Sequence, residues 1–312
     1  MALLLNRNTY IKKEHEKIIL AKIDTLNELY ISYKSLTTYF NLTWLKLIYF
    51  DYTGSNKELL ETSKAYLQNY KDHIPTGKVS TYVLGVQIYQ TKALLLNRQY
   101  NEARKYAREI RDTITGANWF LICEYKFKAL LNNQKIAEAK QVITTVKKHP
   151  QYRATNILTK ERWMIYEAYV ELYEAYINKH APKYRIAKLN NDLKETIKDK
   201  AGFNLSLRVL ECIDLLYKNK WTKLIAQTEA LNTYYKRHLN AKPFLRAKLF
   251  LKLVFSIEKY NFDYKKLEKC EEYIELKTNY YNHVLHESEI VNYDTLWKII
   301  LYFIKKQQQI EV

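Results

Sequence analysis

Glycine and proline are scarce, with 5 and 4 residues in 312 against average usage of roughly 7% and 5%. A β-rich chain needs turn formers at short intervals, so this composition excludes one. The prolines (Pro75, Pro150, Pro182, Pro243) and four glycines (Gly54, Gly77, Gly116, Gly202) fall where the apolar periodicity breaks. Punctuation and period therefore mark the same helices. Cysteine is scarcer still. Cys123, Cys212 and Cys270 are odd in number and widely spaced, which excludes a disulfide framework and a clustered zinc site. No apolar run approaches the roughly 20 residues of a membrane span. The opening MetAlaLeuLeuLeuAsnArgAsn is too short an apolar run for a signal peptide. A cytoplasmic protein with no membrane contact is expected.

What is present is repetition. Ala93–Ala103 lies over Ala129–Ala139 at a shift of 36 residues, with identities at Ala93/Ala129, Leu94/Leu130, Leu95/Leu131, Asn97/Asn133, Glu102/Glu138 and Ala103/Ala139. Beyond each match the apolar residues step by 3, 4 and 3, as Tyr100, Ala103, Ala107, Ile110 and as Ile136, Ala139, Ile143, Val146. That spacing is one face of a helix. Each unit reads as a helix, a short polar turn (Asn97–Gln99, Asn133–Lys135) and a returning helix with a small Ala at the crossing. Repetition at this period marks a helical solenoid. Length alone suggests about two domains, but stacked units contact only their neighbours and can extend as one array.

In chain order, Tyr10–Tyr33 is an amphipathic helix with a packing seam at Ile19, Ile23, Leu26, Tyr30 and Tyr33. Thr38–Phe50 and Asn56–Tyr70 form a first pair, followed by the repeats Val79–Asp112 and Trp119–Lys148. Leu158–Asn178 returns through Ile186–Lys198, Phe203–Tyr217 pairs with Trp221–His238, and Phe244–Tyr260 pairs with Tyr264–Leu285. Taking Ala103, Ala139, Leu224 and Leu267 as equivalent crossing positions gives spacings of 36, 85 and 43, and the 85 leaves room for one more unit near Ala187. The reading is all-α: one array over residues 1–312, with a leading helix (1–35), about six antiparallel helix pairs (36–286) and a terminal helix (287–312). Leu296, Trp297, Ile299, Ile300, Leu301, Tyr302, Phe303 and Ile304 leave that terminal helix almost no polar face, although an end cap needs one. Either Leu296–Ile304 tucks into the array or it is a self-association surface.

The units at Leu94–Ile110 and Leu130–Val146 resemble tetratricopeptide (TPR-like) repeats in Tyr100 or Ile136 followed by Glu102–Ala103 or Glu138–Ala139, with Pro150 near that family's terminal proline. Where the family's first helix carries Trp and Gly, this chain has Gln87 and Thr91, then Cys123 and Phe127; later units lengthen to about 42 residues. The resemblance implies a right-handed α-solenoid whose first helices line a concave groove for a peptide or protein segment. The run Asn118–Pro150 also resembles bacterial helical-repeat proteins of unknown function.

The formal charge is +18, and residues 179–252 hold 17 Lys/Arg against 6 Asp/Glu. Uneven basic charge suits an acidic partner. The 29 tyrosines supply apolar bodies with polar rims, useful in a core or in a recognition surface. Basic and aromatic residues interleave at Lys183, Tyr184, Arg185 and Lys188, at Lys218, Lys220, Trp221 and Lys223, and at Tyr234, Tyr235, Lys236 and Arg237. Such a set can grip an acidic protein segment or stack on bases and hold phosphates. An AT-rich coding bias would enrich Lys and Tyr with no binding role at all. The function expected is a scaffold or adaptor for a protein partner, with nucleic-acid binding through 179–252 as the competing reading.

Signatures of catalysis are missing. ThrGlySerAsnLys (Thr53–Lys57) lacks the spacing of a phosphate loop, and Gly85 stands alone in a helix. His283 and His286 with Glu287 and Glu289 read as a solvated cluster rather than a metal site. Glu271/Glu272 belongs to a charged helix face, and Cys123 to a core position. A non-enzyme without cofactor or metal is expected.

Overall fold

A computed structural model describes residues 13–71, 81–194, 203–238, 245–279 and 288–308. Among them there is no strand, and no helix is long and apolar enough to cross a membrane. Contacts divide the chain into two compact units, the described residues up to Ala129 and those from Leu130 onward.

The first unit begins with α1 (Lys13–Tyr33), α2 (Leu36–Thr53), α3 (Asn56–Lys71), α4 (Thr81–Leu96) and α5 (Tyr100–Arg111), and the division falls inside α6 (Ala117–Asn132). Each of α1 to α4 packs on its successor, and α2 also meets α4. This is the stacking of consecutive hairpins. Gly54, at φ +77°, ends α2 and returns its N–H to the Phe50 carbonyl. Gly85 explains itself through Trp44. A Cβ at Gly85 would lie 2.7 Å from the Trp44 ring, so the missing side chain is what lets α2 and α4 approach.

The repeat closes on one turn geometry. Arg98 sits at φ +55°, its N–H donates to Leu95 O, and the Gln99 N–H donates to Leu94 O at 2.9 Å. This is a Schellman helix end with a non-glycine residue in the left-handed region. Gln134 (φ +60°), Asn219 (φ +55°) and Asn261 (φ +50°) repeat it, with Lys135, Lys220 and Phe262 donating to Leu130, Leu215 and Ile257. These four turns are 36, 85 and 42 residues apart, close to the expected crossing spacings, and Lys179 (φ +56°), after which the His180 N–H donates to Ala175 O, divides the 85 into 45 and 40. Ala103, Ala139, Leu224 and Leu267 are all buried.

The second unit contains α7 (Ile136–Lys148), a 3-10 turn at Pro150–Ala154, α8 (Ile157–Ile177), α9 (Ile186–Asp192), α10 (Phe203–Tyr217), α11 (Trp221–His238), α12 (Leu245–Lys259), α13 (Tyr264–Leu267), α14 (Glu271–Thr278) and α15 (Tyr293–Gln308). The Asn156 side chain starts α8 by accepting the Thr159 N–H at 2.8 Å, and Asp263 caps α13 in the same way. Neighbours again pack in order: α7 on α8, α8 on α9, α9 on α10, α10 on α11, α11 on α12, α12 on α14.

Three expectations are corrected. Tyr33 is not in the α1 seam; it is 74% exposed, because the helix ends there and the seam stops at Tyr30. The room left near Ala187 is taken by α8 and α9, where Leu189 and Leu193 are buried. The described α9 ends at Asp192 rather than at Lys198, as Leu193 leaves helical geometry at ψ 50°. The helix expected over 264–285 is two pieces in its described part, broken where Cys270 turns extended (ψ 152°) and its thiol donates to Leu267 O; residues 280–285 lie outside the described residues. No proline or glycine announces that break.

The terminal helix follows the first of its two expected readings. Tyr293, Leu296, Trp297, Ile299, Ile300, Leu301, Phe303 and Ile304 are buried, and α15 packs against α8, α10, α12, α13 and α14. An all-round apolar helix is a core helix here, so Leu296–Ile304 offers no self-association face. A buried polar strap leads into it. Arg246 Nη2 donates to Glu289 at 2.8 Å, and the Tyr293 N–H donates to the same carboxylate at 3.1 Å. Ser206 donates to Ser288 O, and Tyr169 to Ser206 O. The Asn132 side chain accepts the Asn292 N–H at 2.8 Å and donates to Ile290 O.

Candidate interaction surface

The candidate basic residues lie on or beside α9, α10 and α11. Lys183, Arg185 and Lys188 are exposed beside and on α9, and Lys218, Lys220 and Lys223 are exposed around the α10–α11 turn. Lys218 is held by Asp214 at 2.8 Å. Lys236 is exposed near the end of α11, about 20 Å along the axis from Lys223 at 1.5 Å per residue. Between them α11 exposes Ala226, Glu229, Ala230 and Thr233, a face without added positive charge. Arg208 serves Glu211, which also accepts from Asn190 and Gln227. Arg246 is internal. The side chains of Tyr234, Tyr235 and Arg237 lie outside the described residues.

Tyr184 is corrected outright as a stacking residue. It is buried, and that burial, with Asp214 and Tyr169 nearby, pushes its phenol well above the ordinary 10.0. Trp221 is half-buried against the Phe262 ring at 4.5 Å. Sequence spacing could not separate Tyr184 from a surface ring, because the 7-residue α9 beside it is too short to display a period.

Among the described residues, Glu289, Cys123 and Cys212 are engaged or enclosed. Of the four residues weighed as a metal cluster, His283, His286 and Glu287 lie outside the described residues, and Glu289 binds Arg246. Among the described residues no group of His, Cys, Asp and Glu has the geometry to hold a metal. Burial pushes the Cys123 and Cys212 thiols up to about 12, so neither is a ready nucleophile. A groove of about 420 Å³ runs between α12 and α14, past Lys252, Phe255, Ser256, Lys259, Glu271, Glu272 and Glu275. Lys259 and Glu272 close it with a 2.7 Å ion pair. Burial there pulls the Glu272 carboxyl up, but the Lys259 hydrogen bond and charge, a backbone N–H and the Cys270 side chain together hold it below its ordinary value.

A different surface stands out in the first unit. Ring centroids of Tyr30 (α1) and Tyr39 (α2) lie 4.9 Å apart, Tyr39 and Tyr66 (α3) 5.4 Å, and Tyr66 and Tyr70 5.4 Å, all stacked. Phe40 meets Tyr66 edge-on, and Tyr82 at the start of α4 at 4.1 Å. Asn69 donates to the Tyr39 hydroxyl at 3.1 Å, and the Lys34 ammonium stands 5.3 Å over Tyr30. Tyr66 anchors the row from inside, and burial pushes its phenol up to about 12. Tyr30, Tyr39, Phe40 and Tyr70 are half-buried, while Tyr33, Leu36 and Tyr82 are exposed. The end turns of four helices thus present one aromatic platform. The tyrosine count was its only signal in the sequence, since no local pattern brings rings from four helices together.

Comparison with known proteins brings no family model, no curated relative and no solved structure that matches the chain.

Proposed function

We propose that the chain is a TPR-like scaffold that holds a protein partner, with the aromatic platform of the first unit as its contact surface. The observation that carries this reading is the row Tyr30, Tyr39, Phe40, Tyr70 and Tyr82 with exposed Tyr33 and Leu36 beside it. Tyrosine is enriched at protein interfaces because a rigid ring buries apolar area while its hydroxyl tolerates water. Exposed apolar clusters of this kind mark partner sites. Local charge supports a protein over a nucleic acid: residues 13–36 carry four Lys against one Asp and three Glu, and a neutral surface releases few counterions. The right-handed superhelix and its groove belong to the same proposal and rest on the repeat.

The test immobilises the full chain and compares it with Tyr33→Ala/Tyr82→Ala and with Lys218→Ala/Lys220→Ala/Lys223→Ala. Nuclease and about 0.3 M salt are present to suppress electrostatic binding. The reading expects captured protein that survives both treatments and is lost with the tyrosine pair. Material that vanishes with nuclease and salt, and depends on the lysines, would establish the nucleic-acid reading in its place.

A further inference from the structure

The outward side of α1 carries a pattern that its packing on α2 leaves unused. Ile19, Ile23, Leu26 and Tyr30 are half-buried on the α2 side. One position earlier along the helix runs an exposed strip, Ile18, Lys22, Thr25 and Leu29, stepping by 4, 3 and 4. Ile18 is 52% and Leu29 40% exposed. Beside this strip lies a second, Lys17, Ala21, Asp24 and Glu28, also exposed. The helix is therefore a two-sided packing element with one side filled.

The charges of these two strips are sorted by half, while Glu16 of the first half lies near Tyr52 of α2. Lys17 and Lys22 precede the centre, and Asp24 and Glu28 follow it. A helix of that kind is complementary to its own reverse. Place a second α1 antiparallel to the first, with the two-fold axis between Ile23 and Asp24. Ile18 then faces Leu29 of the second copy, and Lys22 faces Thr25, each from both sides. Lys17 falls opposite Tyr30, and Glu28 of the second copy sits two residues away on the same flank, about 3 Å along the axis. Helices that pack at 8–10 Å bring those two side chains within ion-pair reach. Antiparallel alignment also sets each helix dipole against the other.

We propose that the chain associates with a second copy of itself through an antiparallel α1–α1 contact, centred on Ile18 and Leu29 and flanked by two Lys17–Glu28 ion pairs. The size of the contact fixes its strength. A 21-residue helix is about 30 Å long and 10–12 Å wide, so the pair buries well under the ~1,200 Å² of a standard interface. The dimer is weak and concentration-dependent. This contact meets the aromatic platform only at Tyr30 and is centred elsewhere, on Ile18 and Leu29, so a chain that stays monomeric leaves the proposed function standing.

Sedimentation equilibrium of the full chain, from about 1 µM to about 300 µM, covers the range that an interface this small calls for. The mass should climb from one chain towards two. Lys17→Glu and Glu28→Lys should each weaken dimerisation about tenfold, the worth of two symmetry-related charge pairs made repulsive, and Leu29→Asp should abolish it. The double variant Lys17→Glu/Glu28→Lys should restore it, with thermal melts showing that each variant is folded. A single-chain mass throughout the range overturns the proposal, and leaves the strip to a different protein's helix. A dimer that ignores all these substitutions overturns it equally, because the contact would then lie elsewhere.

Discussion

Gly85 and Gln134 show two opposite ways in which one residue is tuned to its place. A glycine inside a helix costs roughly 0.5–1 kcal/mol relative to alanine, yet Gly85 sits in the middle of α4. The Trp44 ring occupies the space of its absent Cβ, and that ring is flanked by Phe40 at 5.8 Å and Tyr89 at 5.5 Å. Gly85→Ala should therefore destabilise by about 1–3 kcal/mol through overpacking, and Trp44→Leu in the same chain should relieve most of that loss. A raised urea midpoint for Gly85→Ala alone would contradict the packing. Gln134 is the reverse case. It is exposed at φ +60°, a conformation that penalises a side chain by about 1–2 kcal/mol and suits glycine. Gln134→Gly should raise the midpoint by the equivalent of about 0.5–1 kcal/mol, and a lowered one would refute the turn geometry.

At the scale of the element, most helices were legible because each buries one stripe at a 3.6-residue period. Ala103, Ala107 and Ile110, and Ala139, Ile143 and Val146, are buried as their spacing predicts. What escaped had no local signal. The break at Cys270 lacks a helix breaker, and the inward placement of Tyr184 depends on α8 and α10 rather than on its own neighbours. The fate of α15 was left open by an apolar pattern that fits either a core or an interface. Its burial follows from groups remote in sequence: Arg246 on α12 and Glu289 ahead of α15 are 43 residues apart. Because both are buried, Arg246→Met should cost about 3–5 kcal/mol by leaving Glu289 without its counter-ion. Arg246→Met/Glu289→Leu should recover most of that. A double variant no more stable than the single one would show that the pair does more than neutralise itself. The aromatic platform was the least legible, as it is assembled from the ends of four elements.

For the whole molecule, the tyrosines and cysteines couple the fold to alkaline pH. Burial raises Tyr66, Tyr106 and Tyr273 from 10.0 to about 12, and Cys123 and Cys212 from 9.0 to about 12. The folded chain keeps these protons where an unfolded one releases them. Their contribution is whole below about pH 9 and is lost as pH rises towards 12. Far-UV circular dichroism should accordingly collapse between about pH 10 and 12, well before arginine titrates; a helical signal unchanged at pH 12 would contradict the burial of these groups. The central structural claim is that consecutive helices stack on one another and that α15 lies inside the second unit against α8, α10 and α12. Selective labelling of Tyr and Phe in the full chain tests it most directly, through nuclear Overhauser contacts. The account predicts cross-peaks between the Tyr176 and Tyr302 rings, 5.2 Å apart, and between Phe250 and Tyr293, 4.4 Å apart. Cross-peaks between consecutive helices in the absence of both of these would place α15 outside the second unit and contradict it.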